Sequence, residues 1–293
     1  MSSPTVFDLD RVRSRFNRAA DAYDRHAAVQ QEVGRRLDER FGWLKLDPER
    51  VLDLGAGTGQ MVRAMRSRYP KARVIGLDLA ESMLRHLPRE RWWSRRRLAV
   101  AADMHALPFA GGSMDVVVSN FALQWSDRPE ALFAEVARVL AASGVFSFTT
   151  LGPDSLQEIR RAWAEVDAAP HVHHFMDMHD LGDALVGAML ADPVMDRETV
   201  TVTYPTVDAL LADLRGVGVG NAQRGRSSGM TGPRAWRRFR EALATQAVDG
   251  RIPLTYEIVY GLAWGTGVSP LTSASTHGRY GVPMADGPDP DGV

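Results

Sequence analysis

The stretch VLDLGAGTGQ at residues 51–60 sets three glycines, Gly55, Gly57 and Gly59, at alternate positions behind an apolar run that ends in Asp53. Glycines there permit positive φ and let a ligand lie directly against the backbone. A nicotinamide or flavin fingerprint, G-x-G-x-x-G, would need its third glycine at position 60, which is Gln60. The spacing excludes that motif. By itself the pattern equally fits a tight turn with no ligand.

Three later stretches carry polar residues in corresponding places. VIGLD ends in Asp78, 19 residues after the last glycine, where a carboxylate can accept bonds from both hydroxyls of a ribose. AAD puts Asp103 directly before Met104, a polar–apolar pair suited to the edge and face of an adenine. VVVSNFALQW reaches Asn120 and then an apolar shelf. Taken singly, Asp78 and Asp103 fit strand-end caps just as well. Together, the four tips present a glycine cradle, a ribose acceptor, an adenine site and a substrate-facing loop.

Such tips need a scaffold that holds them side by side. The apolar runs RVLDLG, ARVIGLD, RLAVAAD and MDVVVSN alternate with helix-length patterns such as GQMVRAMRSRY and SDRPEALFAEVARVL, and GVFSFTT at 144–150 makes a fifth strand. Strands apolar on both faces, alternating with helices, mean a parallel sheet covered on two sides. The fold class expected is α/β, a doubly wound and mostly parallel sheet. Before it, residues 8–40 carry Val12, Phe16, Ala19, Ala20 and Tyr23 at helical spacing and read as an amphipathic segment, closed by Asp47-Pro48. After Thr150, DPVMDRETVTVTYP and PLTYEIVYGLAWG read as two strands completing the same sheet. The segments 152–190 and 205–250 are then expected to roof its carboxyl edge. From Gly265 onward, 10 of 29 residues are Gly or Pro, so a disordered tail is expected. No internal repeat is evident.

Composition narrows the chemistry. The chain has 293 residues, is 45% hydrophobic and 24% charged, and contains no cysteine. A disulfide scaffold, a zinc–thiolate site and a cysteine nucleophile are excluded. A net charge of −1 argues against a globally basic nucleic-acid binder. Lys45 and Lys71 are the only lysines, so nearly every basic residue is arginine. The N-terminus lacks a continuous apolar core of a secretory signal, and no stretch approaches the ~18 apolar residues of a membrane span. A cytoplasmic location is expected.

The four tips resemble those of the Rossmann-like S-adenosylmethionine-dependent methyltransferases. The likeness then narrows: FNRAADAYDRHAAVQ at 16–30, SNFALQW at 119–125, FTTLGPDSLQEIRRAWAEVD at 148–167, GVGVGNA at 216–222 and PLTYEIVYG at 253–261 resemble the malonyl-acyl-carrier-protein O-methyltransferases of biotin synthesis. It covers about residues 7–264, in order. Two departures stand out: the tail after Trp264 exceeds the family's usual end, and Met189-Leu190 occupies a place where such enzymes often carry Gly-Phe.

The resemblance implies one methyltransferase domain over 1–264, with a helical lid at 8–45, a cofactor-binding core at 46–150, and a tail at 265–293. It implies methyl transfer from S-adenosylmethionine to the free carboxylate of a malonyl thioester on acyl carrier protein, with no metal, no nucleic acid and no membrane. Asp53, Gly55, Gly57, Gly59, Asp78, Leu79, Met83, Asp103, Met104 and Asn120 would hold the cofactor. Tyr23 and His26 would fold over its methionine end as catalytic residues. Gln124, Trp125, Arg215, Arg224 and Arg226 would face the substrate, although each arginine is equally readable as part of a solvated loop. Arg234, Arg237 and Arg238 share a face and would dock the acidic carrier. Arg95, Arg96 and Arg97 read as a solvated charge run, and His171, His173 and His174 as a polar loop. Alternatives are a related methyltransferase acting on another small acid or quinone precursor, and a non-catalytic factor that keeps the fold.

Overall fold

Burial on both faces sets the centre of the molecule: Val51, Leu52 and Leu54 on one strand and Val116, Val117 and Val118 on its neighbour are at most 1% exposed. The computed structural model describes residues 8–89, 98–218 and 231–268. Its strands are β1 Arg50–Leu54, β2 Arg73–Asp78, β3 Ala99–Ala101, β4 Met114–Asn120, β5 Leu140–Leu151, β6 Leu190–Tyr204 and β7 Ile252–Gly265. They form one sheet in the order β3-β2-β1-β4-β5-β7-β6. The first five pair in parallel, and β7 runs antiparallel to both β5 and β6. Strand order reverses between β1 and β4, so a crevice opens there at the carboxyl ends, where ligands of such sheets bind.

Helices cover both faces. They are α1 Leu9–Ala19, α2 Tyr23–His26, α3 Ala28–Phe41, α4 Gln60–Arg68, α5 Glu81–Leu84, α6 Pro129–Val139, α7 Gln157–Ala164, α8 Met178–Gly187, α9 Val207–Gly216 and α10 Pro233–Ala244. On one face α3 and α4 bury Leu37, Phe41, Met61 and Met65. On the other, α6 and α8 bury Leu132, Phe133, Leu181 and Leu185 against the stacked Phe146 and Phe148. Each such side chain contributes on the order of 1.5–3 kcal/mol.

Two sequence expectations change, and a third is resolved in detail. The amphipathic segment at 8–40 comprises three helices: the chain leaves α1 after Ala19, makes the single turn α2, and restarts at Ala28. Tertiary bonds fix that break, as Thr58 Oγ1 donates to Asp24 Oδ1 at 2.6 Å and Gln31 Nε2 to Asp24 O at 2.9 Å. The 152–190 segment is not wholly a roof, because the apolar face of α8 packs on the sheet beside α6. The roof comes instead from a ribbon. Pairing of β5 with β7 stops at Leu151–Ile258, whereas β6 and β7 continue together to Tyr204–Ile252. This two-stranded extension carries α7, α9 and α10, whose Trp163, Leu210, Phe239 and Leu243 pack around Tyr204 and Leu254. Finally, Gly265 belongs to β7; the rest of the expected tail, from residue 269, lies outside the described residues.

Candidate functional site

The glycine turn sits in the crevice, and its conformation explains its composition. Gly55 has φ +77°, and a Cβ there would collide with that of Ala122. Gly57 has φ +51° with open space where a Cβ would point. Side chains are disfavoured at both positions. The open space leads into two chambers that share Tyr23, Gly55, Gly57 and Asn120 as a waist.

The first chamber encloses about 700 Å³, mouth included, and is mainly apolar. Leu79, Met83, Met104, Phe121 and Trp125 line it, and Leu9, Val12 and Phe16 of α1 close it from above. Phe16 meets Trp125 edge-on at 5.4 Å between centroids. Two carboxylates enter it. Asp78 accepts from the Gly57 N–H and the Ala80 N–H, both at 2.8 Å, while burial pushes its pKa up. Each oxygen keeps a further lone pair for a ligand hydroxyl. Asp103 accepts through Oδ1 from the His105 N–H at 2.9 Å and from its Nδ1 at 2.7 Å, and those bonds hold it below the usual carboxylate range. Its Oδ2 takes part in neither bond. The other ring nitrogen of His105, Nε2, lies 2.7 Å from Ser126 Oγ.

The second chamber, about 780 Å³ with its mouth, is polar. Its walls include Asp53, Thr58, Gln30, Gln31, Gln60 and Arg63. Asp53 is 1% exposed, and its Oδ2 has no hydrogen-bond partner among the described residues. Burial, and then the nearby Asp78 charge, push its pKa up to about 8. A desolvated carboxylate with an open oxygen calls for a cation. Arg63 offers a guanidinium in the same chamber, its Nη1 donating to Thr58 O at 3.0 Å. One carboxylate and one guanidinium complement the ammonium and carboxylate of an α-amino acid. Together the chambers fit a nucleoside joined to an amino acid.

Tyr23 stands at the waist with burial, Asp78 and Asp24 all keeping its phenol protonated. His26 does not. It turns toward α9, with Nδ1 at 3.3 Å from Asp213 Oδ1 and its ring against Gly216, and it lines neither chamber. The reason is local: a four-residue helix cannot aim both of its ends at one cleft when α9 packs against its far end. Asn120 lines both chambers, but its amide bridges elements, donating to Gln30 O at 2.9 Å and accepting from Thr149 Oγ1 at 2.7 Å. Gly59 starts α4 at φ +90° without lining a chamber.

Among the expected substrate residues, Trp125 is buried in the first chamber's wall, and Gln124 lines a separate cavity. Arg215 is exposed, donates through Nε to Leu211 O, and reaches neither chamber. Arg224, Arg226 and the Arg95–Arg97 cluster lie outside the described residues. On α10, Arg234 and Arg237 are exposed, while Arg238 donates to Glu165 O at 2.7 Å. The three histidines diverge: His171 stacks on Trp163 at 3.6 Å, His173 is buried and held to a pKa of about 4 by burial and then Arg160, and His174 is exposed. Among the described residues no three His, Cys, Asp or Glu gather as a metal site, and no helix is long and apolar enough to cross a membrane.

Sequence reasoning misses Arg63 and His105, and of the expected lid names Tyr23 and His26 rather than the α1 residues that close the first chamber. Arg63 sits one turn into α4 behind Gln60, a spacing that places it beside the glycine loop. His105 follows Asp103 by two, the separation at which an Asp carboxylate accepts from a backbone N–H.

Comparison with known proteins follows the same lines. Residues 52–148 match the model of a methyltransferase domain. A malonyl-[acyl-carrier protein] O-methyltransferase from Laribacter hongkongensis is 48% identical over 278 residues, covering 92% of this chain and 94% of that one. Its counterpart from Gallionella capsiferriformans is 46% identical, covering 88% and 91%. Among solved structures, a putative methyltransferase from Bacillus halodurans superposes with a TM-score of 0.55 at 16% identity, over 78% of this chain and 97% of that one. Phosphoethanolamine N-methyltransferase 2 of Haemonchus contortus, solved with S-adenosyl-L-methionine, gives 0.50 at 15% identity, over 85% and 57%. These two likenesses speak to the fold.

Proposed function

The chain belongs to the malonyl-[acyl-carrier protein] O-methyltransferase family, and we propose that it transfers a methyl group from S-adenosylmethionine to the free carboxylate of malonyl-acyl carrier protein. The product is a methyl ester whose hidden charge lets chain-elongating enzymes treat the acyl group as an ordinary fatty one, on the way to the pimeloyl part of biotin. The observation that carries the reading is the extent of the likeness to the Laribacter relative, 92% of this chain, which reaches beyond the cofactor core into the roof helices.

When bound, S-adenosylmethionine supplies a methyl carbon made electrophilic by its sulfonium. Asp53 and Arg63 are suited to its ammonium and carboxylate, and the orphaned Asp53 Oδ2 is the observation that favours this fit. Asp78 is placed for ribose hydroxyls and Asp103 Oδ2 for the adenine amino group, with Met104 and Leu79 against the ring. No general base is required, because a malonyl carboxylate is ionised at pH 7 like that of Asp or Glu. What remains is alignment, worth about 7–11 kcal/mol in well-oriented systems, and exclusion of water from the oxygen nucleophile. Tyr23 at the waist and the α1 cover serve both ends. Mass spectrometry of malonyl-carrier after incubation with S-adenosylmethionine tests the reading: one added methyl is expected, and an unmodified carrier would refute it.

A further inference from the structure

A third cavity, about 370 Å³ with its mouth, opens on the other flank of the 3₁₀ turn Leu123–Trp125. Trp125 walls the first chamber, whereas Leu123 and Gln124 wall this one. Thr150 and Leu151, at the carboxyl end of β5, place it on the same sheet edge as the site already described. A hydrogen-bonded chain joins the two spaces. His105, bound to Asp103, lines the first; Ser126, hydrogen-bonded to His105 Nε2 at 2.7 Å, lines the third.

The lining is mostly hydrocarbon, from Leu132, Phe133, Phe175, Met176 and Leu181. Ser126, Thr150 and His174 add polar groups at its wall, and Gln124, which also lines it, has a buried Oε1 with no hydrogen-bond partner among the described residues. A buried carboxamide oxygen without a donor is costly, and such groups call for an explanation. Oε1 can only accept, so its partner must bring an N–H or O–H. The malonyl carboxylate, ionised and acceptor-only, offers nothing to it. The arm that carries an acyl thioester on an acyl carrier does: it strings secondary amides along short hydrocarbon stretches, the mixture this cavity presents.

We infer that the third cavity receives the amide-bearing thioester arm of the carrier, with an amide N–H donating to Gln124 Oε1. This rests on the proposed function. The arm would then approach from the α6–α8 side, while the cofactor enters from the α1–α3 side, and the 3₁₀ turn would separate them.

The test compares Gln124→Leu with the parent enzyme on malonyl-carrier and on malonyl ethyl thioester, which lacks any amide. The ratio of kcat/KM between the two substrates should fall roughly 3- to 10-fold, the worth of one neutral hydrogen bond. An unchanged ratio would overturn the site. A loss seen with malonyl-coenzyme A, which bears the same arm, but not with malonyl-carrier would overturn the carrier as its source. Binding of free pantetheine, followed at the Gln124 side-chain amide by NMR, does not depend on methyl transfer. Pantetheine perturbing Gln124 in an enzyme that methylates no malonyl thioester would leave this site standing and remove the reading it rests on. Absence of any perturbation would remove the site itself.

Discussion

Gln60 lies across Gly34: its Nε2 donates to Gln31 O at 2.6 Å, and a Cβ on Gly34 would sit 2.5 Å from that nitrogen. The residue that breaks the dinucleotide fingerprint is therefore a clasp between the glycine turn and the cap helix α3. Gly34→Ala should separate the clasp from overall stability. An alanine in mid-helix is favoured over glycine by about 1 kcal/mol, and one neutral hydrogen bond is worth about as much. Thermal denaturation should show little net change, while calorimetry should show S-adenosylhomocysteine binding weakened roughly 3- to 10-fold. A drop of many degrees would mean that Gln60 cannot swing aside.

Asp53 gives a pH signature. Its pKa near 8 in the folded protein lies above the ordinary value of about 3.9 expected once unfolded. Between those limits the folded state binds more protons, so this group's stabilisation is full below about pH 4 and is lost as pH rises toward 8. A bound ammonium prefers the ionised form, so affinity for S-adenosylhomocysteine should climb as pH rises from 6 to 7.5. Calorimetry on Asp53→Asn should show weaker binding and a flat profile over that range. A profile that keeps its slope would assign the dependence elsewhere.

Met189 adopts φ +65° and is 43% exposed. The backbone turns left-handed there to leave α8 for β6, a conformation glycine adopts more readily than methionine. A left-handed side-chain-bearing residue costs about 1–2 kcal/mol, against about 0.5–1 kcal/mol of extra chain entropy for glycine. Met189→Gly should stabilise by roughly 0.5–1 kcal/mol, read as a raised denaturation midpoint with unchanged methyl transfer. A lowered midpoint would show that the Met189 side chain packs more than its exposure indicates.

The sheet is legible in the sequence because burial on both faces writes strands as apolar runs, and because chemistry at a strand tip follows each run at once. Asp78 and Asp103 appear at their tips for that reason. What escapes a linear reading depends on contacts distant in sequence. Asp24, held by Thr58 and by the Gln31 side chain, lies in the short helix between two breaks in the amphipathic pattern, and no local signal marks the breaks. His26 and Tyr23 are three residues apart yet face different neighbours, because α9 arrives from nearly two hundred residues away. Arg63 carries no distinguishing pattern in an arginine-rich chain; only its place behind the glycine turn selects it.

Tyr23 divides the two chambers and keeps a protonated hydroxyl. If the ring matters as a wall, Tyr23→Phe should retain most of the single-turnover methylation rate, whereas Tyr23→Ala should lose on the order of 10²-fold, the scale of a misaligned attack. Cofactor affinity should fall much less in either variant. Equal rates for all three proteins would show that the ring neither aligns the methyl group nor keeps water from it.

The carrier-docking face proposed on α10 has arginines that are not equivalent. Arg240 is tied to Asp208 through two bonds of 2.5 and 2.8 Å, and Arg238 braces α10 against α7 through Glu165 O. Reversing either would disturb the roof itself. Arg237 is 70% exposed with only a loose 3.8 Å approach to Glu241, and Arg234 is exposed one turn earlier. Arg234→Glu with Arg237→Glu therefore changes surface charge with the fold left alone. Methylation of malonyl-carrier should drop about 10-fold or more in kcat/KM at low ionic strength, through slower encounter, and the deficit should shrink as salt screens the surface. A small malonyl thioester, which has no acidic body to steer, should be methylated at the parent rate. If both substrates lose the same factor, α10 supports the enzyme's own structure and the carrier approaches over another face.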